Sequence, residues 1–412
     1  MVLLVLALGE AAHAGQSVSD VPRGQPPPGL GYFAAAWSLL PSLMTRNDVP
    51  STQCHILAAA YLLYLVRPLE AWNLLYNTSM KLQLLLSSPS RIPSCLKELS
   101  ERVYWNTLMI ESDLLAEIDL PHSGIVQFEE SMRLPRSFPI PYDHASPQTH
   151  HPNSSMPSTS PGSTHSLYSA SPSGTTATYD EPTHNQPPGN DDLWYFLAEI
   201  ALRRLLNRVS HLMYTTQKHH QPHHQNLSAL NPVAAELDFQ LTQWYENLPQ
   251  PVKFPRERLP ARDQVQTVLR LRYFACRTII FRPYILAVLA DEAAGVVASV
   301  AREPGVQDAC RKCLEACIRQ LEDVAAHREG HLPYLLQGAL SLVSQALLLM
   351  GASLCASLSA LLPPAGQMDV LFAEVVMEVE RLGVLAPSIR LCAEIVREAE
   401  ERRQVLRGRG RG

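Results

Sequence analysis

The chain has 412 residues, of which 46% are apolar and 18% charged, and its formal net charge is −5. That apolar share builds a substantial core, and this length holds two or three domains or one large helical domain with insertions. The charge balance excludes a global basic field for nucleic acid, and eight cysteines scattered through apolar patterns fit a reducing compartment rather than a disulfide framework.

"MVLLVLALGEAAHAG" opens the chain. Its apolar run and Ala12-x-Ala14 imitate a signal peptide, but no positive charge precedes the run, which weighs against secretion. Consecutive helices follow from about Gly31 to Leu86. "QCHILAAAYLLYLVRPLEAWNLLYNTSMKLQLLL" reads as a helical hairpin, with Arg67-Pro68 at the turn and the proline in the first turn of the second helix. In the next helix Leu96, Leu99, Val103, Leu108, Leu114, Leu115 and Ile118 keep a helical period until Pro121 and Gly124 stop it. From Pro139 to Asn190 the chain turns rich in Pro, Ser, Thr and His, and it cannot bury enough apolar surface to offset its ordering entropy. It is read as a disordered insertion. Helix restarts at "DDLWYFLAEIALRRLLNRVSHLMY", with Asp191 or Asp192 as the expected cap. "KHHQPHHQN" is a second polar loop, and the helix through "QWYENLPQPVKF" ends at Pro249. "DQVQTVLRLRYFACRTIIFRPYILAVLA" is expected as a long helix interrupted near Pro283. An uncharged stretch from Leu332 to Met368 is long enough to span a bilayer, yet it carries several serines and glutamines and no flanking aromatic belt. It reads as a helix buried in a large helical domain. The arginine-rich end "RRQVLRGRGRG" reads as a solvated tail. The expected fold class is all-α, a large multi-helix domain in two parts, 1–138 and 191–400, around the insertion 139–190 and with a disordered tail at 401–412.

Three groups of residues invite chemistry. Cys310, Cys313 and Cys317 lie close together in "DACRKCLEACIRQL". With Val306, Leu314, Leu321 and Val324 they form one apolar helical face, opposite Gln307, Asp308, Arg311, Lys312, Glu315, Arg319, Glu322 and Asp323. Cys310 and Cys317 would stand about 10.5 Å apart along the axis. Two sulfurs on one zinc ion lie at most roughly 4.6 Å apart. The cysteines therefore read as buried filler and not as a metal site. His219, His220, His223 and His224 offer four imidazoles, but nothing fixes their geometry. Glu111, Asp113, Glu117, Asp119 and His122 place paired carboxylates near a histidine, but no partner Glu-x-x-His helix accompanies them. No phosphate-cradling loop, nucleophile elbow or H-E-x-x-H motif is present in the sequence. The sequence thus offers no catalytic, cofactor-binding or metal residues, and an enzyme is not expected.

Six stretches occur in a telling order: "GYFAAAWSLLPSLM", "YLLYLVRPLEAWNLL", "ERVYWNTLMIESDLLAEIDLPHSGI", "LWYFLAEIALRRLLNRV", "QWYENLPQPVKF" and "LRLRYFACRTIIFRPYIL". Together, from about Gly31 to about Leu361, they resemble the middle homology region of fungal zinc-binuclear-cluster transcription factors. The resemblance implies an all-α regulatory region of a nuclear regulator of RNA polymerase II genes, with the cytoplasm as the alternative location. It carries over Trp105 and Asp113 on the aromatic-plus-acidic helix, and Arg282 and Pro283 at an expected helix break, without assigned roles. The partners it implies are proteins of the transcription machinery or a dimer mate, with a possible small-molecule effector and no membrane. The family's N-terminal cluster of six cysteines and two zinc ions is missing from this chain. The chain as written is expected neither to carry those zinc ions nor to bind DNA specifically, as a truncated sequence or as a regulator without its own DNA-binding module. The alternative reading is a free-standing helical protein-binding scaffold.

Overall fold

A computed structural model describes residues 1–14, 21, 25–136, 190–215, 227–295, 300–322 and 335–409. The expected disordered insertion and the histidine loop lie outside the described residues. Thirteen α-helices, joined by short 3-10 turns, make up the described part, which has no strand. Scarce β-branched alternation and dominant helical periodicity already pointed there.

The first lobe holds α1 (Val2–Ala14), α2 (Leu30–Trp37), α3 (Val49–Tyr64), α4 (Pro68–Leu86) and α5 (Lys97–Glu117). Leu4, Ala7 and Ala11 of α1 face the core with Phe33, Tyr61, Leu75, Leu82 and Trp105. Helix α1 approaches the next segment so closely that a Cβ on Gly29 would lie 2.2 Å from the Ala7 carbonyl oxygen. Gly29 also has φ of 81°, so glycine is needed there twice over. Asp48 caps α3 by accepting from the Ser51 amide at 2.8 Å.

The hairpin turn is as the Arg67-Pro68 pair suggests, and α4 starts at Pro68. Its geometry is a Schellman motif, with the Val66 amide on Leu63 O at 3.0 Å and the Arg67 amide on Leu62 O at 2.9 Å. Glycine usually takes the left-handed position of such a cap; here it is Val66, with φ of 57°. Burial of its side chain against Leu336, Ala339, Leu382 and Ile389 offsets the strain.

The second lobe holds α6 (Asn190–Ser210), α7 (Leu227–Glu246), α8 (Gln264–Ala293), α9 (Val306–Glu322), α10 (Leu335–Leu354), the single turn α11 (Ala356–Ser359), α12 (Ala365–Leu382) and α13 (Pro387–Arg409). Helix α6 begins at Asn190, so Asp191 and Asp192 belong to its first turn and neither is the cap. Two helices, Gln264–Ala293 and Leu336–Leu354, are long and apolar enough to cross a membrane; in each, 56% of the apolar window is buried inside the fold. Within the uncharged stretch, Leu335–Leu354 form α10, which packs against α8, α9, α12 and α13.

The structure corrects three expectations. Pro283 does not interrupt the long helix, because α8 runs unbroken from Gln264 to Ala293 with the proline inside. The carbonyl that Pro283 leaves without an amide, Ile279 O, instead accepts the Tyr214 hydroxyl at 2.7 Å. The arginine-rich end is no solvated tail from residue 401, because α13 continues to Arg409. Arg403 is buried there, bonded to Glu400 and Asp369 and 4.7 Å above the Phe372 ring, and Arg407 meets Asp369 at 2.6 Å. Arg319 also leaves its expected polar face. It is buried, with its guanidinium 5.5 Å from the centre of the Phe274 ring and within reach of the Arg256 and Glu257 carbonyls.

Candidate functional site: an ionic junction between the lobes

Glu199 and Arg203 lie four residues apart on α6, so they share a face, and both are buried. Asp113 comes to them from α5, Arg272 from α8 and Gln337 from α10. Arg272 holds the Asp113 carboxylate in a fork, with Nη2 to Oδ2 at 2.8 Å and Nη1 to Oδ1 at 3.1 Å. Its Nε also meets Glu199 Oε2 at 3.1 Å. Arg203 Nη2 pairs with Asp113 Oδ1, and Gln337 Nε2 donates to the same oxygen at 3.2 Å. Two carboxylates and two guanidiniums make a neutral cluster with little access to solvent. Burial pushes the Glu199 carboxyl up in pKa, against the opposing pull of Arg272 and a hydrogen bond from Tyr195. Guanidiniums keep their protons, so the two arginines hold these carboxylates through charge-assisted hydrogen bonds.

The four positions carried over from the resemblance do not form one site. Asp113 alone enters the junction. Trp105, two turns earlier on α5, is buried edge-on to Tyr104, and its Nε1 donates to Arg133 O at 2.8 Å. With Tyr104 on Ile125 O and Glu98 on the Arg136 amide at 2.8 Å, it staples residues 125–136 along α5. Arg282 Nη2 donates to Ser344 Oγ on α10 at 2.7 Å, and Pro283 is buried beside it. The other acidic residues divide likewise. Glu111 is buried and saturated, accepting from Ser79 Oγ at 2.9 Å, the Ser123 amide at 2.8 Å and Ser123 Oγ at 2.7 Å. Sequence reading missed Glu199, Arg203, Arg272 and Gln337. For the α6 pair the available signal was opposite charges at i, i+4 inside an apolar stripe.

Cys310, Cys313 and Cys317 are buried on the core face of α9 with Val306, Leu314 and Leu321, as the periodicity required. Cys317 Sγ donates to Gln345 Oε1 at 3.0 Å, and Cys313 Sγ to Thr278 O at 3.7 Å. Among the described residues no group of three His, Cys, Asp or Glu side chains is placed to hold a metal ion.

No protein-family model matches the chain, and no solved structure matches it. It is 23% identical over 334 residues to an Aspergillus rugulosus protein named "Putative transcription factor ecdB", a match that covers 79% of this chain and 50% of that protein. The chain thus spans about half the length of the curated relative it matches, and what it shares with that relative is similarity along most of its own length.

Proposed function

We propose that this chain is a helical regulatory region of a transcription regulator, acting in the nucleus through protein contacts and not through catalysis or specific DNA binding of its own. The observation that carries this reading is the similarity over 79% of the chain to a protein named as a transcription factor. The ordered motifs that resemble the middle homology region of zinc-cluster regulators support it, as does an all-helical fold with a buried, charge-balanced clamp between its lobes. In this reading Asp113 sets the relative placement of the two lobes, and Trp105 holds the end of the first lobe against α5.

The test fuses the full chain to a heterologous DNA-binding module in a fungal cell carrying a matching reporter. Reporter output is expected to change against the module alone, and a fluorescent fusion is expected in nuclei. Unchanged reporter output together with exclusion from nuclei would sink the reading.

A further inference from the structure

A buried cysteine usually acts as a small hydrophobe with an inert thiol. Cys313 and Cys317 have more polar surroundings. They stand one turn apart on the inward face of α9, and both sulfurs converge on one residue of α8, Thr278. Cys313 Sγ lies 3.7 Å from the Thr278 carbonyl oxygen, and Cys317 Sγ lies 3.7 Å from the Thr278 hydroxyl. The two thiols also hydrogen-bond to each other. Gln345 Oε1 of α10 is 3.0 Å from Cys317 Sγ, and Gln320 Nε2 donates to Thr278 Oγ1 at 2.9 Å. Arg282, one turn beyond Thr278, acts on both thiols with its positive charge. Its hydrogen bond goes to the neutral Ser344 hydroxyl and not to a carboxylate. Burial works against a Cys317 thiolate, but the hydrogen bonds from Cys313 and Thr278 and the charge of Arg282 outweigh it and lower the Cys317 pKa. Burial and the bond to Cys317 raise Cys313 instead. Arg282 is half-buried, and its charge also reaches Glu117, which is exposed. The guanidinium thus stands between the thiols and solvent.

We propose that Cys313 and Cys317 form a two-sulfur site that binds trivalent arsenic, taken up as arsenous acid. Three observations select this ligand. First, the site offers two soft donors and no third. Cys310, the remaining cysteine of this face, interacts with Tyr284 and Cys355 and makes no contact with Thr278. Among the described residues no group of three His, Cys, Asp or Glu side chains is placed to hold a metal ion. Zinc wants four ligands, whereas trivalent arsenic is satisfied by two thiolates and one hydroxyl. Second, both sulfurs touch Thr278, so once one thiol has bonded to arsenic the other is already beside it. Third, the hydroxyl left on arsenic needs hydrogen-bond partners in a buried place. Gln345 and Arg282 supply an acceptor and a donor there, which an aliphatic core does not. In the binding step each thiol replaces one hydroxyl of arsenous acid. Two As–S bonds form, two As–O bonds break, and two waters leave with the thiol protons. Arsenic stays trivalent, so the step needs no oxidant or reductant. Arg282 favours it by stabilising the thiolate that attacks first. The site does not depend on a role in transcription.

Native intact-mass spectrometry of the reduced full chain with sodium arsenite, joined to X-ray absorption at the arsenic edge, reads the result. One arsenic per chain is expected, with two sulfurs and one oxygen around it. Cys313→Ser and, independently, Cys317→Ser are expected to lose the adduct. Circular dichroism verifies that the fold is kept; where one variant fails to fold, the other decides, and the arsenic shell of the wild type is decisive without either. Cys310→Ser and the exposed Cys95→Ser are expected to bind arsenic as the wild type does. A folded wild type that takes up no arsenic overturns the proposal. So does an adduct kept in both Cys313→Ser and Cys317→Ser, or a shell of three sulfurs that is lost in Cys310→Ser.

Discussion

His55 lies inside the first lobe with no solvent access, and neither ring nitrogen has a hydrogen-bond partner. Burial, reinforced by the positive charge of Lys81, lowers its pKa from the ordinary 6.5 to about 4. The sign of the consequence follows from proton binding. Between about pH 6.5 and pH 4 the unfolded chain binds a proton at this residue and the folded chain does not. Stability is therefore full above 6.5 and falls as the pH drops, by about 3 kcal/mol over the whole window. His55→Phe removes the titrating group and leaves an apolar side chain in an apolar site. Urea unfolding of both proteins across this pH range is expected to show wild type losing stability relative to the variant as pH falls. Parallel pH profiles would exclude a buried neutral imidazole. Nothing in the sequence around His55 marks this state, because it depends on what α4 and its neighbours place over the ring. The cysteines of α9 are the opposite case, since the spacing within a single helix was enough to turn them inward.

At the scale of helices, Pro283 shows where local rules stop. Its sequence context predicts a break because proline removes one amide and crowds the preceding turn. The break is avoided with Tyr214, whose hydroxyl serves the Ile279 carbonyl 65 positions further along the chain. No local window contains that partner. Tyr214→Phe is expected to cost about 1–3 kcal/mol, the cost of leaving a buried carbonyl unsatisfied. In a Pro283→Ala background the alanine amide takes over this carbonyl, and the same Tyr214→Phe change is expected to cost markedly less. The coupling read from a double-mutant cycle of chemical denaturation is the measure. Equal costs in both backgrounds would mean that the tyrosine packs in place without compensating the proline. The arginine-rich end was misjudged for a related reason: composition suggested solvation, but α12 supplies Asp369 and Phe372 to hold Arg403. Helix identity and the inward face of α9 were legible because both are periodic within one segment. The partners that extend or bind a helix end were not, because they come from other segments.

The described residues form two large apolar cores, each built mostly from its own stretch of chain. Ile200 of α6 inserts into the first core, and the small cluster around Val66 ties the end of α3 to α10, α12 and α13. Between them stands the Asp113 junction, which joins residues 159 positions apart across the insertion. From sequence, Asp113 was visible as an acidic residue on a helix, but a buried pairing at that separation leaves no periodic trace. Replacing a buried ion cluster by well-packed apolar groups is often neutral, whereas removing one charged member is strongly destabilising. Asp113→Ala takes away the carboxylate shared by Arg203 and Arg272 and is expected to cost about 3–5 kcal/mol. The loss falls on the contact between lobes and not inside either core, so cooperativity should suffer along with stability. Trp37, Trp72 and Trp105 report on the first lobe, and Trp194 and Trp244 on the second. In urea, fluorescence and far-ultraviolet circular dichroism are expected to trace one coincident transition for the wild type and two separated transitions for Asp113→Ala. A single coincident transition in the variant, shifted to lower urea, would show that the apolar tie around Val66 and the packing of Ile200 are enough to couple the lobes. The junction would then contribute stability without governing how they move together.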